Sequence, residues 1–253
     1  MITPKEDFDF LQVQMFPATQ PKSQAIYGKI AKSYWQPIPH GLLIDHIIFQ
    51  AERRKWKIGE LKFAFNRNKS DMAASMEVIL PNLIPPKNSV FCIGVLNSNY
   101  QHFRTHILGG INYRENIGIT FYERKLGKHT LKFNTRMSMN IGVSKVGKTF
   151  PRYKRMIAEL ENLTPPEPEK ILYRAGHTII NTWNRDVMPW KRIKRIERLY
   201  DKLYPNSWNL LVSFCKVSRS NPPILQMKQN LAFLQLLLEE SVRDVGWRQK
   251  KRK

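Results

Sequence analysis

From Arg124 to Ala158 the chain has no acidic residue, although ten of those positions are Lys or Arg, and Glu123 and Glu159 stand just outside. Cysteine is nearly absent too. Cys92 and Cys215 each sit in an apolar run, VFCIGV and LLVSFC, with no C-x-x-C partner. That argues against a structural zinc or a disulfide framework and for two core thiols in a reducing, cytoplasmic compartment. No run reaches ~18 apolar residues, and MITPKEDFDFLQVQM lacks a charged segment followed by a long apolar one, so neither membrane spanning nor secretion is expected. Paired carboxylates are also missing from the expected strands. Glu52, Glu60, Asp71, Glu77, Glu115 and Glu123 are scattered, with no D-x-D or E-x-K pair on one expected strand, which counts against a magnesium-dependent nuclease. No internal repeat is visible.

What the chain has is positive charge. Among 253 residues, 42 Lys and Arg outnumber 20 Asp and Glu, for a net charge of +22 and a pI near 10.1. Such a surplus repels itself in a compact state, and its usual counterpart is a polyanion, nucleic acid first. A composition 42% hydrophobic and 11% aromatic is that of a folded protein.

Residues 1–40 are punctuated by prolines and rich in aromatics, which reads as an extended arm laid over the domain. Leu43, Ile44, Ile47, Ile48 and Ala51 recur at spacings of three and four, predicting a helix from His40 to about Lys57 stopped by Gly59. Between Glu60 and Glu123 the period becomes two, giving strands near 61–65, 76–80, 89–96, 106–113 and 117–123, with Arg67–Asp71 as a hairpin turn. Strands in succession without a helix between them imply antiparallel pairing. After the acid-free block, helical patterns return over 153–163, 168–184, 189–203, 206–217 and 224–243, with the stiff segment TPPEPEK after the first. The expectation is an α+β fold: an antiparallel sheet of four to five strands with packed helices, followed by a helical C-terminal part. In domains, 1–163 is the core with its arm, 164–247 the helical region and 248–253 a basic tail.

Gly94, Asn97 and Ser98, then Gly110, then Lys128, His129 and Thr130 occupy the pattern G-x-x-N-S … G … K-H-T. In this the chain resembles the phage- and plasmid-borne family known as domain of unknown function 932. PIPHGLLIDHI and NSWNLLVSFCKV extend the likeness, whereas RENIGIT departs from the cysteine-and-asparagine motif found there. The resemblance implies a mobile-element protein working near DNA replication or recombination, and supplies no catalytic residue.

Within the acid-free block, GVSKVGKT, Gly142–Thr149, matches the P-loop pattern G-x-x-x-x-G-K-[ST], so a P-loop NTPase is one reading. MSMNI before it would have to be a strand, Pro151 crowds the helix that must follow, and no later strand ends in the Asp a magnesium site needs. The other reading is a cationic groove with interleaved aromatics, Tyr122, Phe133, Phe150 and Tyr153, for a nucleic-acid backbone and its bases. Its candidate contacts are Arg124, Lys125, Lys128, His129, Lys132, Arg136, Lys145, Lys148, Arg152, Lys154 and Arg155, joined by Arg67, Lys69 and Arg104. Asn97 and Ser98, at a strand end, either form a turn or contact phosphate. The function expected is sequence-independent nucleic-acid binding, single-stranded DNA above all, without catalytic residue, metal or cofactor. Assembly into a ring or filament is compatible with it. The alternatives are the NTPase and a structural or RNA-associated basic protein.

Overall fold

The computed structural model describes residues 8–12, 38–66, 69–99, 104–114, 117–126, 135–165, 167–181, 189–221 and 223–243. Arg67, Lys128, His129, Lys132 and Phe133 lie outside the described residues. The chain divides into two compact units, one of residues 1–116 and 120–151, the other of 117–119 and 152–253.

The first unit is built on a sheet with strand order β1 (Phe8–Gln12), β2 (Lys57–Asn66), β3 (Asp71–Ile79), β4 (Ser89–Ser98), β5 (His106–Tyr113) and β6 (Ile117–Lys125). The pairings from β1 through β5 are antiparallel, and β2 to β5 follow one another with no helix between them. The sheet has six strands where four or five were expected, because part of the proline-rich arm pairs with β2, Phe10 against Ala64. Successive side chains alternate between faces, so Met72, Ala74, Met76 and Val78 share one face with their neighbours Asn97, Val95, Ile93 and Phe91. Almost all of these are fully buried.

Helix α1 (His40–Glu52) packs with helix α2 (Thr135–Gly147), and α2 lies on β5. Buried Leu43, Ile44, Ile47 and Ala51 form the inner side of α1. The helix ends at Glu52, short of the expected Lys57, and Gly59 lies inside β2 rather than stopping the helix. Lys55 takes a left-handed φ of 59°, while the amides of Lys55 and Trp56 donate back to Glu52 O and Ala51 O over 2.7 and 3.0 Å. This crossed pair of bonds closes a helix without glycine.

The second unit contains α3 (Phe150–Asn162), whose first two residues belong to the first unit, α4 (Pro168–Ala175) with a π-helical continuation Gly176–Asn181, α5 (Pro189–Tyr200), α6 (Ser207–Ser218) and α7 (Pro223–Arg243). The division falls at residue 151 rather than 163. The stiff TPPEPEK segment is internal to the helical unit, since Leu163 O accepts from Ser207 N over 2.7 Å. Asn206 caps α6 by accepting from Asn209 N over 2.8 Å. Trp208, Leu211, Phe214 and Cys215 of α6 are buried, and Phe214 stacks on Phe233 of α7 with ring centres 3.9 Å apart. Burial raises the Cys215 thiol far above its ordinary range and pushes Cys92 up to about 12, so both are inert core thiols.

Candidate nucleic-acid interface

The acid-free block is mostly helix. MSMNI is part of α2 rather than a strand, and so are Gly142 and Gly147. A helical amide donates to the carbonyl four residues back and has nothing left to offer a phosphate, so the P-loop match forms no cradle. Lys148 N donates to Ser144 O over 3.1 Å. The amide and hydroxyl of Thr149 both donate to Val146 O, over 2.8 and 2.6 Å. The glycines have a packing role instead. A Cβ on Gly142 would stand 2.3 Å from Ile107 Cδ1, and one on Gly147 2.4 Å from the Trp56 ring. Trp56 in turn faces Phe150 at 5.8 Å, and Phe150 meets Phe91 at 4.8 Å.

With Met139, Gly142, Val143 and Val146 facing inward, spacings of three and four put the cations of α2 outside. Arg136, Lys145 and Lys148 are exposed, as are Arg53 and Lys55 at the end of α1. Among the described residues none of these five has a carboxylate partner. Glu123, just before the block, meets His106, Oε1 to Nδ1 over 2.5 Å. Arg54 has a structural task. Its guanidinium donates to Gln50 O over 2.7 Å and to Asn140 Oδ1 over 2.7 Å, joining the two helices. Burial, then the neighbouring Arg53, lowers its pKa. His46 lies in the same field: burial first and the Arg136 charge second hold it below the ordinary imidazole value, with Asp45 opposing. Phe49 of α1 is exposed, with Arg53 over its ring at 5.8 Å.

The aromatics expected to stack on bases do not all reach a surface. Phe150 and Tyr153 are core residues, each 1% exposed, and Tyr122 is half-buried. Asn97 and Ser98 are likewise enclosed and have no surface to give a phosphate. They belong to a polar cluster at one end of the sheet. Asn97 donates to Ile38 O over 3.0 Å and meets His40 Nδ1 at 2.9 Å, while Thr105 Oγ1 donates to Asn97 Oδ1 over 2.7 Å. The adjoining hairpin turn is tied by Asn66, whose Oδ1 accepts from the amides of Ser70 and Asp71 over 2.8 and 3.1 Å. Lys69, at a left-handed φ of 53°, and Arg104 are exposed near this end, Lys125 is exposed on β6 and Arg124 half-buried.

In the second unit Arg152, Lys154 and Arg155 are exposed on α3, Arg155 pairing with Glu159 over 2.8 Å. A pair this exposed contributes little to stability. The α5 cations were absent from the sequence expectation. Ile193 and Ile196 are buried, which turns Lys191, Lys194, Arg195 and Arg198 to solvent. The signal was the pattern KRIKRIER itself, an amphipathic helix whose polar face is almost wholly cationic. Each unit has 21 Lys and Arg against 10 Asp and Glu, so the surplus belongs equally to both and is not a property of the acid-free block alone.

No family model, curated protein or solved structure matches this chain. Among the described residues no three His, Cys, Asp or Glu gather in a way that could hold a metal ion, and no helix is long and apolar enough to cross a membrane.

Proposed function

We propose that the protein binds nucleic acid without regard to sequence, single-stranded DNA in preference, in the recombination or replication of a phage or plasmid. The observation that carries this reading is the helical layer over the sheet, where Arg53, Lys55, Arg136, Lys145 and Lys148 point to solvent with no carboxylate partner among the described residues. Cations left unneutralised by their own chain suit a phosphate backbone, where each contact releases condensed counterions. The lack of sequence preference fits side chains that are long, flexible point charges. The mobile-element setting rests on the resemblance of Gly94–Tyr113 and Lys128–Thr130. The test is fluorescence anisotropy with labelled single-stranded DNA, duplex DNA and RNA of equal length from low to physiological salt, with size analysis of the complexes. Single-stranded DNA is expected to bind tightest, with affinity falling steeply as salt rises. A flat salt dependence overturns polyanion binding, and a preference for RNA overturns the DNA assignment.

A further inference from the structure

We propose that Tyr173, His177 and Trp190 in the helical unit form a platform on which unpaired bases of a single-stranded nucleic acid stack. This rests on the nucleic-acid reading above and assigns base contacts, a task that the buried Phe150 and Tyr153 do not perform.

The cluster follows from two helical relationships. Ile171, Leu172, Ala175 and Ile179 bury one side of α4 and its π-helical continuation. Tyr173 and His177, four residues apart, are left together on the outside, their ring centres 4.7 Å apart and their planes at 61°. Trp190 comes from α5 and reaches within 5.0 Å of Tyr173 and 5.5 Å of His177. Gly176 permits that approach. A Cβ there would stand 2.4 Å from Ile193 Cδ1, so α5 seats directly on the π-helical backbone, and Trp190 lies one turn before Ile193. Single π-helical turns recur at functional sites, where they redirect side chains that a regular helix would place elsewhere.

All three rings face solvent, Tyr173 at 56% and Trp190 at 43% exposure. They are already in mutual contact, so a ligand ring stacks on an outer face rather than entering between them. The surroundings choose the ligand. Lys191 adjoins Trp190 in sequence and Lys194 lies one turn beyond it on the same face, both exposed, and neither pairs with a carboxylate among the described residues. A cationic ligand, the usual guest of an aromatic cage, is repelled there. A flat π-system attached to phosphates satisfies both rings and cations, which is the combination single-strand binders use. An anionic membrane would also attract cations and Trp, but the apolar face of α5, Ile193 and Ile196, is already buried in the fold.

The experiment compares a short thymidine oligonucleotide with an abasic strand of the same phosphate count, using the full chain, Trp190→Ala, Tyr173→Ala and Trp190→Phe, each checked for unchanged thermal unfolding. The wild-type chain is expected to bind the thymidine strand about fivefold to a hundredfold tighter than the abasic one, the range for one stacked base. Either alanine variant should lose most of that difference while keeping its affinity for the abasic strand, and Trp190→Phe should retain it. If wild type binds both strands equally, or the alanine variants keep the full difference, the platform is overturned and backbone binding stands. If wild type binds neither strand, the nucleic-acid reading falls and the platform with it. Saturable binding to vesicles of mixed phosphatidylcholine and phosphatidylserine that Trp190→Ala abolishes, with no loss on the thymidine strand, overturns it in favour of a membrane.

Discussion

The side-chain amide of Asn97 meets Nδ1 of His40 at 2.9 Å, and neither residue reaches solvent appreciably. His40 Nε2 lies 3.0 Å from the backbone oxygen of Lys69, which can only accept. The proton of the neutral ring therefore sits on Nε2 and donates to Lys69, while Nδ1 accepts from Asn97. A second proton would have to enter at Nδ1, against an N–H already pointing there.

Stability should accordingly fall with acid. Burial holds the folded-state pKa of His40 below its ordinary 6.5, and hydrogen bonding at Lys69 only partly opposes this. Below pH 6.5 the unfolded chain takes up a proton that the folded chain refuses, so the unfolding free energy drops as pH falls through 6.5 toward the depressed value, by at most ~1.4 kcal/mol per pH unit for one site. His46, lowered as well, adds in the same direction. Urea unfolding at pH 7.5, 6.0 and 5.0 checks this, and His40→Gln should flatten part of the dependence. Stability unchanged down to pH 5 would show the sign to be wrong.

Gly142→Ala should destabilise the fold by about 1–3 kcal/mol, the range for overpacking a close contact, without any nucleotide being involved. The first obstacle is Ile107 Cδ1 at 2.3 Å, with Cγ1 next at 3.3 Å. Ile107→Val deletes that methyl, so the double variant should be more stable than the two single effects added together. Strict additivity in chemical denaturation would dissociate the two residues. A P-loop role would instead make Gly142→Ala and Lys148→Ala abolish ATP binding, and no ATP binding is expected from the wild type.

Lys55→Gly should stabilise the protein by about 1 kcal/mol, because a side chain in the left-handed region carries a steric penalty that glycine lacks. A lower thermal midpoint in the glycine variant would contradict this account of how α1 ends.

Replacing Arg136, Lys145 and Lys148 together by Gln should weaken binding of single-stranded DNA and make its logarithmic salt slope shallower by about 2, at roughly 0.7 per lost phosphate contact. His46 reports the same surface. Removing the Arg136 charge should raise its pKa, and so should a bound phosphate, which means that affinity increases as pH falls through the imidazole range. NMR titration of the His46 ring with and without oligonucleotide measures it. A His46 pKa indifferent to the oligonucleotide would move the backbone path away from α1 and α2.

By itself the sequence determined what depends on local period and on composition. Alternating residues gave β4, β5 and β6 to within two positions but only the later half of β3, spacings of three and four gave α1 and α3 to α7, and the charge surplus is a count. Tertiary structure decided what depends on a partner distant in the chain. A glycine-rich stretch is loop or helix according to its surroundings, and here Gly142 and Gly147 belong to a helix seated against Ile107 and Trp56. Whether Asn97 touches solvent turned on His40, 57 residues away. The same holds for Tyr173 and Trp190. Nothing within either helix announces the other ring, and they meet because Gly176 lets two backbones come close enough for Ile193 to seat.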